Sequence, residues 1–145
     1  HPNIVPYQVF PCADGHAIVA VGNDAQHRRL CALLGAPELA DPPYDANPGR
    51  LAHRGALVAA LALRTAARTK ADLLAACEAA GVPAGPINDM GEVFADPQVI
   101  ARGMRIEAEG VPGLRAPLRF SDSPLAVGRA SPRLGQDQDA EDPWG

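Results

Sequence analysis

Four hydrogen-bonding side chains, His1, Asn3, Tyr7 and Gln8, stand within the first eight residues of the chain, interleaved with Pro2 and Pro6. Proline fixes φ and stiffens the backbone around it, so a polar stretch framed by two prolines can form a rigid wall of a cleft. Such a wall binds; it does not react. A nucleophile or general base requires an activated carboxylate, thiol or imidazole with positioned neighbours, and the candidates elsewhere have plainer duties. Asp14 suits a turn, Asp24, Asp72, Asp89 and Asp96 suit helix caps, and Glu107 and Glu109 share the exposed face of a strand. His1, His16, His27 and His53 are scattered, so no shared metal site is expected. Cys12, Cys31 and Cys77 lie at wide spacings, which fits buried reduced thiols rather than a disulfide framework or a close-paired zinc pattern. The sequence holds no Gly-x-Ser-x-Gly elbow, no phosphate loop, no His-Glu-x-x-His and no dinucleotide fingerprint.

The elements that must carry these residues follow from periodicity. Val5 to Val21 alternates around Asp14-Gly15 and predicts a β-hairpin. Gly22-Asn23-Asp24 then offers a side-chain cap to a helix that presents Leu30, Leu33 and Leu34 and stops at Gly35. Pro37 to Arg50 contains four prolines and reads as a surface loop with one short turn at Glu38–Ala40. A helix is expected from Arg50 to Arg64 with Leu57, Val58 and Leu61 as its apolar stripe. Thr69 and Asp72 match a capping box for a third helix that runs to about Ala80, buries Leu73, Leu74 and Cys77, and ends at Gly81. Gly81 to Asp89 is too rich in Pro and Gly to be read as ladder or helix. Two short helices follow, capped by Asp89 with Glu92 and by Asp96 before Pro97, the second ending at Gly103. Met104, Ile106 and Ala108 then alternate with charged residues, and Leu114 to Phe120 is expected to return antiparallel after a Gly-Val-Pro-Gly turn, with Pro117 making it an edge or a bulge. The fold class is therefore α+β: a small antiparallel sheet of N-terminal and C-terminal hairpins with helices packed between, plus an extended C-terminal linker. The expected division is residues 1–120 as the small domain and 121–145 as the linker.

Composition narrows the function classes. A chain of 145 residues is one domain's length and can bury roughly two-thirds of its unfolded surface. Net charge is −4, Lys70 is the only lysine, and the arginines are dispersed, so no stripe suited to a phosphate backbone forms and nucleic acid is not an expected partner. No apolar run reaches the length of a membrane span and no signal-peptide pattern is present, which points to the cytoplasm. The opening residues, without Met and already inside a proline-framed stretch, read as the far end of a longer polypeptide.

The order of pieces is more specific than any one of them. "HPNIVPYQVFPCADGHAIVAVGNDAQHRRLCALLG", "NPGRLAHRGAL", "AGVPAGPIND", "EVFADPQVIARGM" and "PRLGQD" occur in succession. Together, from His1 to about Asp139, they resemble the C-terminal portion of class III CoA-transferases, the CaiB/BaiF family. The resemblance implies a large Rossmann-like domain that binds CoA, this smaller domain beside it, and two interlocked subunits forming a homodimer. It implies an acyl-CoA and a carboxylic acid as substrates, the CoA thioester being substrate rather than cofactor, and an aspartate that passes through an acyl anhydride and an enzyme–CoA thioester. That aspartate belongs to the upstream part, and no residue here matches it, so no catalytic residue is assigned. The stretch before the first strand stands where some relatives carry a glycine-rich loop over the active site. Asn3, Ile4, Tyr7 and Gln8 are then the residues expected to face the acyl group. Two departures from the family pattern are "DPPYDANPGR", where relatives carry a longer acidic-aromatic stretch, and Ala84, where "VPCGPIN" often has cysteine; the second favours a rigid turn over a nucleophile site.

Other readings stay open. α-Methylacyl-CoA racemases and carnitine-type enzymes share the architecture and differ in residues upstream. A non-catalytic module that binds a partner protein through its Arg-bearing loops is a reading from another class. Helix faces that would meet a large domain are expected to favour self-association when bare.

Overall fold

The computed structural model describes residues 1–138. They form an α+β fold with six α-helices and small antiparallel sheets of three and two strands, and divide into two compact units, His1–Asn88 and Asp89 onward. No helix among the described residues is long and apolar enough to cross a membrane.

The first unit opens with the expected hairpin, β1 (Tyr7–Cys12) and β2 (Gly15–Ala20), paired from Tyr7↔Ala20 to Cys12↔Gly15. Ala13 and Asp14 make the two-residue turn, and the Asp14 carboxylate accepts from the Lys70 amide at 2.7 Å. Helix α1 (Asp24–Leu33) is capped by Asn23, whose side chain accepts from the Gln26 amide, and ends before Gly35, which takes φ +65°. A 3₁₀ turn, Pro37–Ala40, follows as expected. The single helix expected from Arg50 to Arg64 is instead two, α2 (Asn47–Ala52) and α3 (Arg54–Thr65), broken at His53. Pro48 occupies the first turn of α2, where its missing N–H costs nothing. Helix α4 (Lys70–Ala79) is capped by Thr69 and followed by Gly81 at φ +62°.

Ala84–Ile87, inside the Pro/Gly-rich stretch read as neither ladder nor helix, forms strand β3, antiparallel to β2 with Ile18↔Gly85 and Ala17↔Pro86. The strand order β1-β2-β3 makes it an edge, the place in a sheet that tolerates a proline. One sheet face, with Phe10, Ala17 and Val19, joins Leu30, Leu34, Leu57, Leu61, Leu73, Cys77 and Val82 in the core. Burial of a single such aliphatic side chain stabilises by about 1.5–3 kcal/mol.

The second unit contains α5 (Met90–Ala95), with a complete Asp89/Glu92 capping box, and α6 (Pro97–Ala101), capped by Asp96. Strands β4 (Arg105–Ala108) and β5 (Val111–Leu114) pair around Glu109-Gly110, both at positive φ. The return strand thus lies in the residues read as the turn, and 115–120 holds no strand. Two successive positive φ values are the signature of a primed two-residue turn, which is tighter than the four-residue one expected. Residues 121–138 contain turns but no helix or strand, and the end of the expected linker, 139–145, lies outside the described residues.

Candidate functional site

The segment before β1 is gripped by the two helices that the sequence reading fused into one. Asn47 of α2 brackets it: its amide nitrogen donates to the Asn3 carbonyl at 2.9 Å, and its Oδ1 accepts from the Val5 amide at 3.2 Å. Arg54, at the start of α3, donates to the carbonyls of Pro2 (2.6 Å) and His1 (3.2 Å). Between them Arg50, only 1% exposed, donates from Nε to the Val5 carbonyl at 2.7 Å and from one terminal nitrogen to the carbonyls of Tyr44 (3.0 Å) and Asp45 (3.2 Å). Its remaining nitrogen meets the Asp24 carboxylate at 2.6 Å. The planar guanidinium suits this task because its donors fan out in fixed directions, which an ammonium cannot reproduce.

Asp24 is therefore a partner of Arg50, while Asn23 caps the helix. The hydrogen bond from Arg50 holds the Asp24 carboxyl below the ordinary carboxylate range, helped by an amide of Asn47 and opposed by modest desolvation. A general acid or base at neutral pH needs the opposite shift. No buried side-chain nitrogen or oxygen among the described residues lacks a hydrogen bond, so Arg50 is satisfied within the fold and is not left awaiting an anion.

Of the four predicted binding residues, Asn3 is exposed and Ile4 half-buried on the gripped segment. Tyr7 is 36% exposed and stacks on the His1 ring at 5.4 Å. Gln8 is half-buried, shares the core face with Phe10, and pairs with buried Val19. Successive strand residues point to opposite sides, so Tyr7 and Gln8 stand on opposite faces of the sheet. The structure brings Asn3 and Ile4 together on one gripped segment and separates Tyr7 from Gln8. The outward face carries Tyr7, Val9, Ile18 and Ile87, of which Tyr7, Val9 and Ile87 are exposed. The residues missed by sequence reasoning are Asn47, Arg50 and Arg54; Asn47 and Arg50 are three apart in α2 and Arg54 opens α3, and the segment they hold lies more than forty positions away, beyond the reach of local pattern.

The thiols and imidazoles are quiet. Burial pushes the Cys31 thiol up to about 11, and burial likewise raises Cys77 and Cys12. All three therefore stay protonated, as inert structural cysteines do. Cys77 and Ala84 border an open cleft of about 340 Å³ with Leu74, Val82 and Pro86. Among the described residues no group of three or more His, Cys, Asp or Glu could hold a metal ion.

His27 is buried with no exposure, and its Nε2 donates to the Leu39 carbonyl at 2.9 Å. Burial lowers its pKa, so the folded state holds it neutral. As pH falls below the ordinary histidine value of about 6.5, the unfolded chain takes up the proton first, and stability is lost until the lowered folded value is passed. The melting temperature is expected to fall on acidification through this window, and less steeply in His27→Gln, whose amide can still donate to Leu39. Equal slopes in the two proteins would contradict this.

Comparison with known proteins gives the site its context. A succinate–glutarate CoA-transferase of Agrobacterium fabrum is 49% identical over 144 residues, which span 95% of this chain and 36% of that protein. The human succinyl-CoA:glutarate CoA-transferase is 38% identical over 94% of this chain and 32% of its own length. The crystal structure of a CaiB/BaiF family protein from Brucella suis superposes with a TM-score of 0.87 at 51% identity, covering 94% of this chain and 36% of that one. The chain thus spans about a third of the length of the relatives it matches. The pattern that defines CoA-transferase family III matches residues 1–138, and the chain belongs to that family.

Proposed function

We propose that this chain is the small domain of a CoA-transferase that moves CoA between carboxylic acids, and that Asn3, Ile4 and Tyr7 line one side of its acyl pocket, with Gln8 on the opposite face of β1 supporting it from the core side. The observation that carries this reading is the match to CoA-transferase family III along nearly the whole chain. Its coverage of only about a third of each relative supports a division of labour in which the reactive carboxylate lies on a large, CoA-binding domain. That carboxylate attacks the thioester carbonyl to form an acyl anhydride and free the CoA thiolate. The thiolate then attacks the enzyme's own carbonyl, giving an enzyme–CoA thioester and releasing the donor acid. The acceptor carboxylate attacks that thioester, forms a second anhydride and frees the thiolate again. The thiolate finally takes the acceptor acyl group and restores the enzyme carboxylate. The names of the relatives favour dicarboxylic acids as donor and acceptor. The same reading includes an interlocked homodimer in the cytoplasm and a C-terminal linker, from Ser121, that returns toward the large domain.

A chemistry-free wall is consistent with the inert thiols and the lowered Asp24 pKa. The test is CoA exchange between a dicarboxylyl-CoA and a free dicarboxylate, followed by chromatography. The longer polypeptide that carries this chain is expected to exchange, and residues 1–145 alone are expected not to. Exchange by the short chain would refute the placement of the nucleophile elsewhere; none by the longer polypeptide across a panel of carboxylic acids would remove CoA transfer itself.

A further inference from the structure

We propose that Asn47 and Arg54 form a latch that opens and closes on residues 1–4 independently of the core, acting as positioning residues for the acyl pocket. This rests on the functional reading above. Both side chains hold only main-chain atoms: the carbonyls of His1, Pro2 and Asn3 and the amide of Val5. The side chains of Asn3 and Ile4 are therefore held in place by neighbours that do not bond them, and remain available to a substrate. The latch also differs in kind from Arg50. Arg50 is buried and joins three separate parts of the fold, Val5, the Tyr44–Asp45 loop and Asp24, so its loss is a loss of structure. Asn47 and Arg54 are only half-buried, and their bonds to the segment lie at or near the surface, where local opening is cheap. Val5 and Pro6 are fully buried and mark the hinge at which such opening must stop.

The experiment pairs two readouts. In the first, amide hydrogen exchange is measured on the 145-residue chain carrying Asn47→Ala or Arg54→Met. The Val5 amide should exchange about five- to tenfold faster in Asn47→Ala, the factor one lost hydrogen bond corresponds to, while amides of β2 and α3 keep their rates. Asn47→Asp, which retains the acceptor for Val5, should recover most of that protection. In the second, either variant in the longer polypeptide should raise KM for the acid substrate about fivefold with kcat nearly unchanged, as expected for a residue that positions a binding wall. Arg54→Lys should restore part of the loss. Exchange that rises equally in the core, or at no amide, would overturn the latch. Faster Val5 exchange with an unchanged KM would confirm the latch as a local device and instead sink the assignment of this segment to the acyl pocket.

Discussion

Arg50→Met is expected to destabilise the His1–Asn88 unit by about 3–5 kcal/mol, because a buried guanidinium that ties three main-chain carbonyls together is removed. The aliphatic replacement fills much of the volume, so the effect isolates the guanidinium. Three carbonyls lose their donor together: that of Val5 is buried, where an unsatisfied acceptor costs about 1–3 kcal/mol, and those of Tyr44 and Asp45 are partly buried and cost less. Arg50→Lys should recover little, because a single ammonium cannot reach carbonyls that Arg50 now contacts from three sides. Asp24→Asn should cost only about 1 kcal/mol, since the Asp24 side chain is 47% exposed and water can replace it. The measurement is a shift of the urea midpoint. A loss below about 1 kcal/mol for Arg50→Met would mean that the carbonyls rehydrate and that the hub is dispensable.

Gly49→Ala is expected to cost about 2–4 kcal/mol although it adds one methyl group to a half-buried position. A Cβ built at Gly49 overlaps the Pro43 carbonyl oxygen. The obstacle is backbone, in a segment stiffened by Pro42 and Pro43, so no rotamer change can relieve it. Either the first turn of α2 or the Tyr44 loop must move, and both are attached to Arg50. Gly55→Ala in α3 is the control: nothing lies within 4 Å of its Cβ position, and a helical alanine should leave stability unchanged or raise it by up to about 1 kcal/mol. Equal thermal shifts for the two variants would show that the close approach at Gly49 relaxes freely.

Local rules carried the sequence reading far. The first hairpin, with its turn one residue earlier at Ala13-Asp14, the Asn23, Thr69, Asp89 and Asp96 caps and the glycine stops at 35, 81 and 103 depend on neighbours within a few positions, and all appear in the structure. What escaped depends on partners far along the chain. Strand β3 exists because β2 offers it an open edge, a fact that the composition of Ala84–Ile87 cannot reveal. The β4–β5 turn was displaced because Glu109, a residue with no special liking for positive φ, takes it beside Gly110. The burial of His27 likewise has no local signature: the 3₁₀ turn brings the Leu39 carbonyl to its ring and makes that burial tolerable.

The arginines teach the same lesson. Dispersed along the sequence, they form no stripe, but Arg29, Arg50, Arg54 and Arg68 donate to carbonyls of Gly81, Val5, Pro2 and Leu33, each more than thirty positions distant. For the candidate site, the gripped segment was recognised from its prolines and polar residues, whereas the hands that grip it were not. The alternation of β1 also divides the predicted quartet, because Tyr7 and Gln8 cannot serve one surface.

A grip on main-chain atoms has an evolutionary corollary. Every residue type presents the same carbonyl, so mutations at positions 3 and 4 can accumulate without rerouting the polypeptide there. On the proposed function, exchanges at those two sites would alter acid preference among descendants of one ancestor while the scaffold is inherited intact.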